Sequence, residues 1–153
     1  MIATDNTLQD DPYRLVIAQW QSRAVPLLPP PTNHEIETAF ARLRHPLSDD
    51  IRRLYSATGG FADYECDCVW SLWSLDRLVR ENQNRDSEFL WFADFLISSH
   101  MYAFRYHNDE ASVIYIDRNI PQHPPTQVAE DVPDFLRKYI DDPDSVEAWN
   151  LDG

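Results

Sequence analysis

The sequence of 153 residues is poor in the residue types on which several kinds of functional site depend. It contains three glycines, two cysteines and a single lysine. With so few glycines, the chain has no glycine-rich loop of the kind whose backbone amides bind phosphate groups. Cys66 and Cys68 are separated by one residue, a spacing at which two side chains cannot easily form a disulfide. We therefore predict no disulfide framework and expect a reducing compartment.

Long apolar runs and a basic amino-terminal segment are also missing. No stretch approaches the roughly 18 consecutive apolar residues that a membrane-spanning helix needs. The amino terminus, MIATDNTLQDD, has neither a basic region nor an apolar one, so no secretory signal peptide is predicted. These features indicate a soluble cytoplasmic protein without a membrane partner.

Basic residues are scarce relative to acidic ones, and the excess of acid is concentrated in one part of the chain. The 26 acidic and 13 basic residues give a formal net charge of −13. Residues 1–60 contribute −1 to this charge, and residues 61–153 contribute −12. A negative field of this size repels nucleic acid and anionic lipid. We therefore expect a basic protein partner and no nucleic acid.

The spacing of apolar residues predicts helices first and strands afterwards. Helices are predicted over residues 12–24, 32–44, 48–58, 74–84 and 131–140. Strands are predicted over residues 68–73, 89–98, 101–107 and 112–117, with a break near Ala93 and Asp94. The QHPPT segment is predicted to be a loop. This order predicts an α+β fold with a mixed, largely antiparallel sheet flanked by helices.

Local signals mark the ends of two of these helices. Thr32 and Glu35 have the spacing of a capping box. Gly59 and Gly60 are predicted to end the third helix, because glycine adopts the left-handed conformation at low cost.

Six residues are predicted to contact a partner. Asp63, Glu65 and Asp67 alternate along the chain and share one face of an extended backbone. Asp109 and Glu110 lie at a predicted hairpin tip, and Tyr64 lies within the acidic segment. For each acid alone, simple solvation is the better interpretation, since surface acids often serve only solubility. As a group they form a negative patch that can attract a basic protein.

Two further interpretations concern aromatic and basic side chains. The alternation of the strands predicts that some aromatic residues of this part of the chain point outward, although a buried position is favoured for each tryptophan taken singly. The residues concerned, together with Tyr64, are Trp70, Trp73, Trp91 and Tyr102. The arginines of the third helix, Arg52 and Arg53, are expected on a solvated face, paired with Asp49 and Asp50.

The sequence carries no recognisable catalytic or metal-binding motif. Its five histidines and two cysteines show neither a zinc-ligand spacing nor an HExxH pattern. A G-x-S-x-G nucleophile motif is absent as well. The alternative of a small hydrolase rests only on unassigned side chains such as Cys66 and His100. We predict a protein that is not an enzyme and has no cofactor.

Three segments resemble the SUKH superfamily, which contains the yeast cell-wall assembly regulators of the Smi/Knr type. The segment LPPPTNHEIETAFARLRHPLSDDIRRLYSATGGF (residues 28–61) resembles the family's first part, with Pro46-Leu47 in place of the usual Leu-Pro. The segment FADFLISSHMYAF (residues 92–104) resembles its central strand pair. The segment VAEDVPDFLRKYIDD (residues 128–142) resembles its final helix, with Val132 in place of the usual Phe.

The resemblance implies a function in binding. Bacterial members are mostly similar to immunity proteins that bind one cognate toxin of a polymorphic toxin system, often a nuclease, and block it. The resemblance therefore implies an immunity protein that occludes a basic toxin without catalysis. The alternative is a regulatory or scaffolding module with a partner that is not a toxin.

The same resemblance suggests how the chain is organised. We predict one SUKH-like domain over residues 1–153, with a family-like core at residues 28–142. Residues 1–25 would add an amino-terminal helix, and residues 143–153 an acidic tail. The proline-rich segment at residues 26–31 is interpreted as packed chain and not as a domain boundary. The oligomeric state stays open.

Overall fold

A computed structural model describes residues 11–62, 70–83, 89–95, 100–107, 110–117 and 126–141. The helices are α1 (Pro12–Ser22), α2 (Asn33–Leu43), α3 (Asp49–Ala57), α4 (Leu75–Asn82) and α5 (Val132–Asp141). The strands are β1 (Trp70–Leu72), β2 (Phe89–Phe95), β3 (His100–His107), β4 (Glu110–Asp117) and β5 (Thr126–Ala129). The predicted α+β class is confirmed.

The five described strands form one sheet in which neighbours along the chain are neighbours in space. The order is β1-β2-β3-β4-β5, and each described pairing is antiparallel. The register of β2 against β3 shifts between Trp91 and Ala93, close to the predicted break in this strand. Strand β5 was not predicted, because its four residues are too few to show a periodic pattern.

Side chains at the helix starts act as the sequence predicts. The Thr32 hydroxyl accepts from the Glu35 amide, and the Glu35 carboxylate accepts from the Thr32 amide, which completes the capping box. The Ser48 hydroxyl caps α3 in the same way, by accepting from the Ile51 amide. Each of these bonds satisfies a backbone amide that has no partner within the helix.

The end of α3 differs from the prediction. The residue after the helix, Thr58, is extended, and the left-handed residue is Gly60, with φ of 91°. The two glycines allow close packing instead, Gly59 against the proline-rich segment and Gly60 against the backbone of Trp73 and Ser74. A side chain at Gly59 would collide with the carbonyl oxygen of Pro29. This contact allows Leu27 to form an antiparallel bridge with Phe61.

The main core lies between the helices and one face of the sheet. Trp70 lies near its centre, with its ring about 6 Å or less from the rings of Trp20, Phe61 and Tyr139. The side chains of Tyr13, Val16 and Trp20 bring α1 into the same cluster. The Trp20 indole donates to the Tyr139 hydroxyl over 3.0 Å, which joins α1 to α5.

A second cluster concerns the aromatic residues of the strands, where the buried position favoured for each tryptophan is confirmed within the described residues and Tyr64 lies outside them. Trp70, Trp73, Trp91 and Tyr102 are all buried. Trp73 and Trp91 pack with Met101 in a cluster separate from the main core. The alternation of the strands does not expose these residues, because side chains on both faces of the sheet are covered. Within the described residues, no helix combines the length and apolarity needed to cross a membrane.

Candidate functional site: an acidic cleft

An acidic cleft of about 670 Å³ opens between the start of α3 and the turn from β5 to α5. The residues that line it are Pro46, Leu47, Ser48, Asp49, Asp50, Glu130 and Asp131. Four of these seven side chains are carboxylates and none is basic. The cleft is therefore a negative recess, formed by two elements that are far apart in the sequence.

The first wall is the amino-terminal turn of α3. Ser48 caps the helix and is itself buried, so the direction of the chain at this point is fixed. Asp49 and Asp50 follow in the first turn, where the partial positive charge of the helix end favours carboxylates. Asp49 is exposed and Asp50 is half-buried. The same charges that stabilise the helix thus line the cleft.

The second wall is the turn that leads from β5 into α5. The Asp131 carboxylate accepts from the Asp134 amide over 2.8 Å, as a capping side chain does. The Asp134 carboxylate reaches back and accepts from the Glu130 amide over 3.0 Å. These two bonds fix the backbone of the turn. The side chain of Glu130 is exposed at the cleft.

Tyr13 of α1 lies beside the cleft and joins α1 to α3. Its hydroxyl donates to the backbone oxygen of Asp50 over 3.3 Å. Burial raises the pKa of Tyr13, and the nearby charges of Asp50 and Asp131 raise it further. The guanidinium of Arg53 lies 4.5 Å from the centre of the Tyr13 ring and 3.7 Å from the carboxylate of Asp11. The Tyr13 phenol therefore remains neutral and hydrogen-bonded at neutral pH.

This arrangement suits the binding of a cationic side chain. An ammonium or guanidinium group that enters the cleft gains charge-assisted hydrogen bonds to carboxylates, which are stronger than neutral ones. The lining contains no cysteine, histidine or lysine, so its ionisable side chains are the four carboxylates. Across the described segments, no group of three or more potential ligands is arranged to hold a metal ion.

The residues predicted to contact a partner remain untested. Asp63, Tyr64, Glu65, Asp67 and Asp109 lie outside the described residues. Glu110 begins β4 opposite His107, but its side chain is not described. The acidic patch predicted from these six residues therefore stays a prediction. The hydrolase candidates are equally untested, because Cys66 and the side chain of His100 also lie outside the description.

The acids of the cleft were not identified from the sequence, because Asp49 and Asp50 were expected to pair with the arginines of their own helix. Arg52 pairs with Glu37 over 3.2 Å instead of with an aspartate of its own helix. Arg53 pairs with Asp11, the residue that caps the start of α1. The signal in the sequence is two acidic pairs, Asp49-Asp50 and Glu130-Asp131, each at a helix start. Nothing local indicates that the two helix starts meet.

Comparison with known proteins gives one assignment. The family model described as the SMI1 / KNR4 family (SUKH-1) matches residues 30–138, more than two-thirds of the chain. The match extends from just before α2 into α5, and so includes both walls of the cleft. No curated protein matches the chain.

Proposed function

Because this chain belongs to the SMI1 / KNR4 family (SUKH-1), whose members are interaction or immunity modules, we propose that it is an immunity protein. In this proposal it binds one cognate toxin in the cytoplasm and blocks it by occlusion, without chemistry of its own. The chain acts as one domain, in which α1 packs into the main core. A net charge of −13 makes a basic toxin, such as a nuclease domain, the matching partner.

We choose the cleft as the binding surface on the basis of one observation. The cleft brings four carboxylates together without a basic side chain in its lining. A nuclease binds an anionic substrate through basic residues, and a recess of this charge can receive one of them. The Asp63–Asp67 segment and the Asp109-Glu110 pair are proposed as additional contacts, because they carry charge of the same sign.

The proposed mechanism predicts how the complex responds to salt. Complementary charges accelerate association, and exposed charges are screened once the Debye length falls to about 3 Å at about 1 M salt. We therefore expect a 1:1 complex that forms more slowly as the salt concentration rises. Equal association rates at about 0.05 M and about 1 M salt would contradict the electrostatic part of the proposal.

The first experiment identifies the partner. Tagged protein is used to capture binding proteins from the source cells at low salt, and mass spectrometry identifies those that salt releases. A single basic toxin domain is the expected result. Recovery of one stoichiometric partner that has no toxic activity would support the regulatory or scaffolding alternative and would contradict the immunity proposal.

The second experiment tests the cleft with a matched pair of variants. Asp49→Asn with Glu130→Gln removes two exposed charges from the cleft, one from each wall. Asp141→Asn with Glu37→Gln removes two charges outside it. At low salt, the first variant should bind the captured toxin roughly tenfold more weakly, because exposed ion pairs contribute up to about 1 kcal/mol each. Equal losses in the two variants would show that only the total charge matters.

A further inference from the structure

Lys138, which does not line the cleft, contacts the segment around the turn that carries Glu130 and Asp131. In the pairing of β4 with β5, Ala129 lies opposite Val113 and Gln127 lies opposite Ile114. Val128 is therefore an extra residue in β5, a bulge with no residue opposite it on β4. The ammonium group of Lys138 donates to the Val128 carbonyl oxygen over 3.0 Å.

Lys138 also acts on the turn through a carboxylate. Its ammonium nitrogen lies 3.3 Å from Oδ2 of Asp134, one turn earlier in α5. That same oxygen accepts the amide hydrogen of Glu130 over 3.0 Å. Lys138 therefore has two contacts near the turn. One is the carbonyl oxygen of the bulge residue Val128, and the other is the Asp134 carboxylate that binds the Glu130 amide.

We infer that Lys138 is a positioning residue for the acidic cleft, an inference that rests on the proposed function of that cleft. By holding the bulge and Asp134 together, it sets where Glu130 and Asp131 lie relative to Asp49 and Asp50. A carboxylate moved by about an ångström no longer meets a bound cation in hydrogen-bond geometry.

An ordinary surface ion pair would behave differently. Taken alone, an exposed pair such as Lys138 with Asp134 contributes little to the free energy of unfolding. The bond to Val128 is different, because Val128 is buried and its carbonyl belongs to an irregular part of the strand. Loss of a donor to such a group leaves it unsatisfied and loosens the local backbone. Arginine keeps the charge and the donors, so it should rescue the effect.

Hydrogen exchange at the Glu130 amide tests the inference directly. Lys138→Met should accelerate this exchange about fivefold, because the hydrogen bond to Asp134 opens more often. Lys138→Arg should stay close to the wild-type rate. Arg137→Met is the control, since Arg137 is exposed and makes no described ion pair. Unchanged exchange in Lys138→Met, or equal acceleration in Arg137→Met, would overturn the inference.

A titration with a tetra-arginine amide separates this inference from the proposed function. Amide signals of Asp49 and Glu130 report binding at the two walls. Lys138→Met should weaken binding of the peptide roughly threefold, and Lys138→Arg should restore it. If the peptide moves no wild-type signal, the cleft is not a cation site and the proposed function loses its surface. The exchange rates still decide whether Lys138 positions the turn.

The single lysine allows a third test without substitution. Acetic anhydride acylates the amino terminus and Lys138, the only side-chain amine in the sequence. Treated Lys138→Arg protein, in which only the terminus reacts, is the control. Acetylation of the wild type should accelerate exchange at Glu130 as Lys138→Met does. A modified wild type that exchanges like the treated control would refute the role of the charge.

Discussion

Two junctions of this molecule hold a helix against a strand with polar side chains, but in opposite surroundings. Where α4 meets β2, Arg77 and Asp94 form an ion pair of 3.2 Å, with only 5% and 4% of each residue exposed. Where α5 meets β5, Lys138 bonds the strand from a side chain that is 47% exposed. The first junction is closed to water, and the second opens on the acidic cleft.

The buried junction also includes an amide that replaces a strand. Beyond the end of β1, the Asn82 side chain donates to the Trp91 carbonyl and accepts from the Trp91 amide. It therefore offers Trp91 the two bonds that a neighbouring strand would offer. The guanidinium of Arg77 lies 4.6 Å from the centre of the Trp73 ring, which covers the pair from one side.

This difference indicates which of the two junctions can bind a partner. In the buried junction the polar groups must keep their present partners, because an unpaired charge or amide there would lower the stability of the fold. The two exposed acids of the open cleft, Asp49 and Glu130, keep their contact with water, so they can exchange it for a partner. Substitutions should therefore unfold the protein at the first junction and change its binding at the second.

The largest effect is expected from Arg77→Met. The substitution leaves the buried Asp94 carboxylate without its guanidinium, so the free energy of unfolding should fall by about 3–5 kcal/mol. Urea denaturation measures this change. Arg80→Met is the control, because Arg80 pairs with the exposed Asp76, and it should cost less than about 1 kcal/mol. Similar losses of unfolding free energy in both variants would show that burial of the Arg77–Asp94 pair does not increase its contribution to stability.

The next largest effect is expected from Asn82→Leu. Both backbone groups of Trp91 lose the amide that bonds them, at a cost of about 2 kcal/mol. Gln83→Leu changes the neighbouring exposed residue in the same way and should have little effect. Thermal unfolding of the two variants checks the difference, and a stable Asn82→Leu protein would contradict the strand-replacing role.

A smaller effect is expected from pH at His45. Burial lowers the pKa of this imidazole, whose ring lies 5.3 Å from the Tyr106 ring. Below the ordinary value of 6.5, the unfolded chain binds the proton first, so the stability of the fold decreases until the folded pKa is passed. His45→Phe should remove this part of the pH dependence of the urea midpoint. His34→Phe, at an exposed position, should leave it unchanged.

The smallest effect on stability is expected at the cleft. Asp49→Asn with Glu130→Gln should change the free energy of unfolding by less than about 0.5 kcal/mol per site, because both side chains are exposed. The same variant should still lose binding to its partner. A large loss of stability, measured by urea denaturation, would mean that the two acids hold the fold and would weaken their assignment to binding.

Much of the fold follows from short stretches of sequence. Thr32 with Glu35 and Ser48 mark helix starts, because each bond lies within four residues along the chain. The end of α3 was predicted less well, since Gly59 packs against the proline-rich segment some thirty residues earlier and Gly60 packs against Trp73 and Ser74. The burial of Trp73 and Trp91 agrees with the prediction, but their placement in a cluster separate from the main core depends on contacts between residues that are distant in the sequence.

The sequence by itself determined the α+β class, most helix boundaries, the negative charge and the family resemblance, because all four depend on local patterns or composition. The tertiary structure alone decided the cleft. Asp49-Asp50 and Glu130-Asp131 are about eighty residues apart, and only the packing of α1, α3 and α5 brings them to one recess. A pattern along the chain cannot show such a meeting, since it depends on contacts between distant side chains.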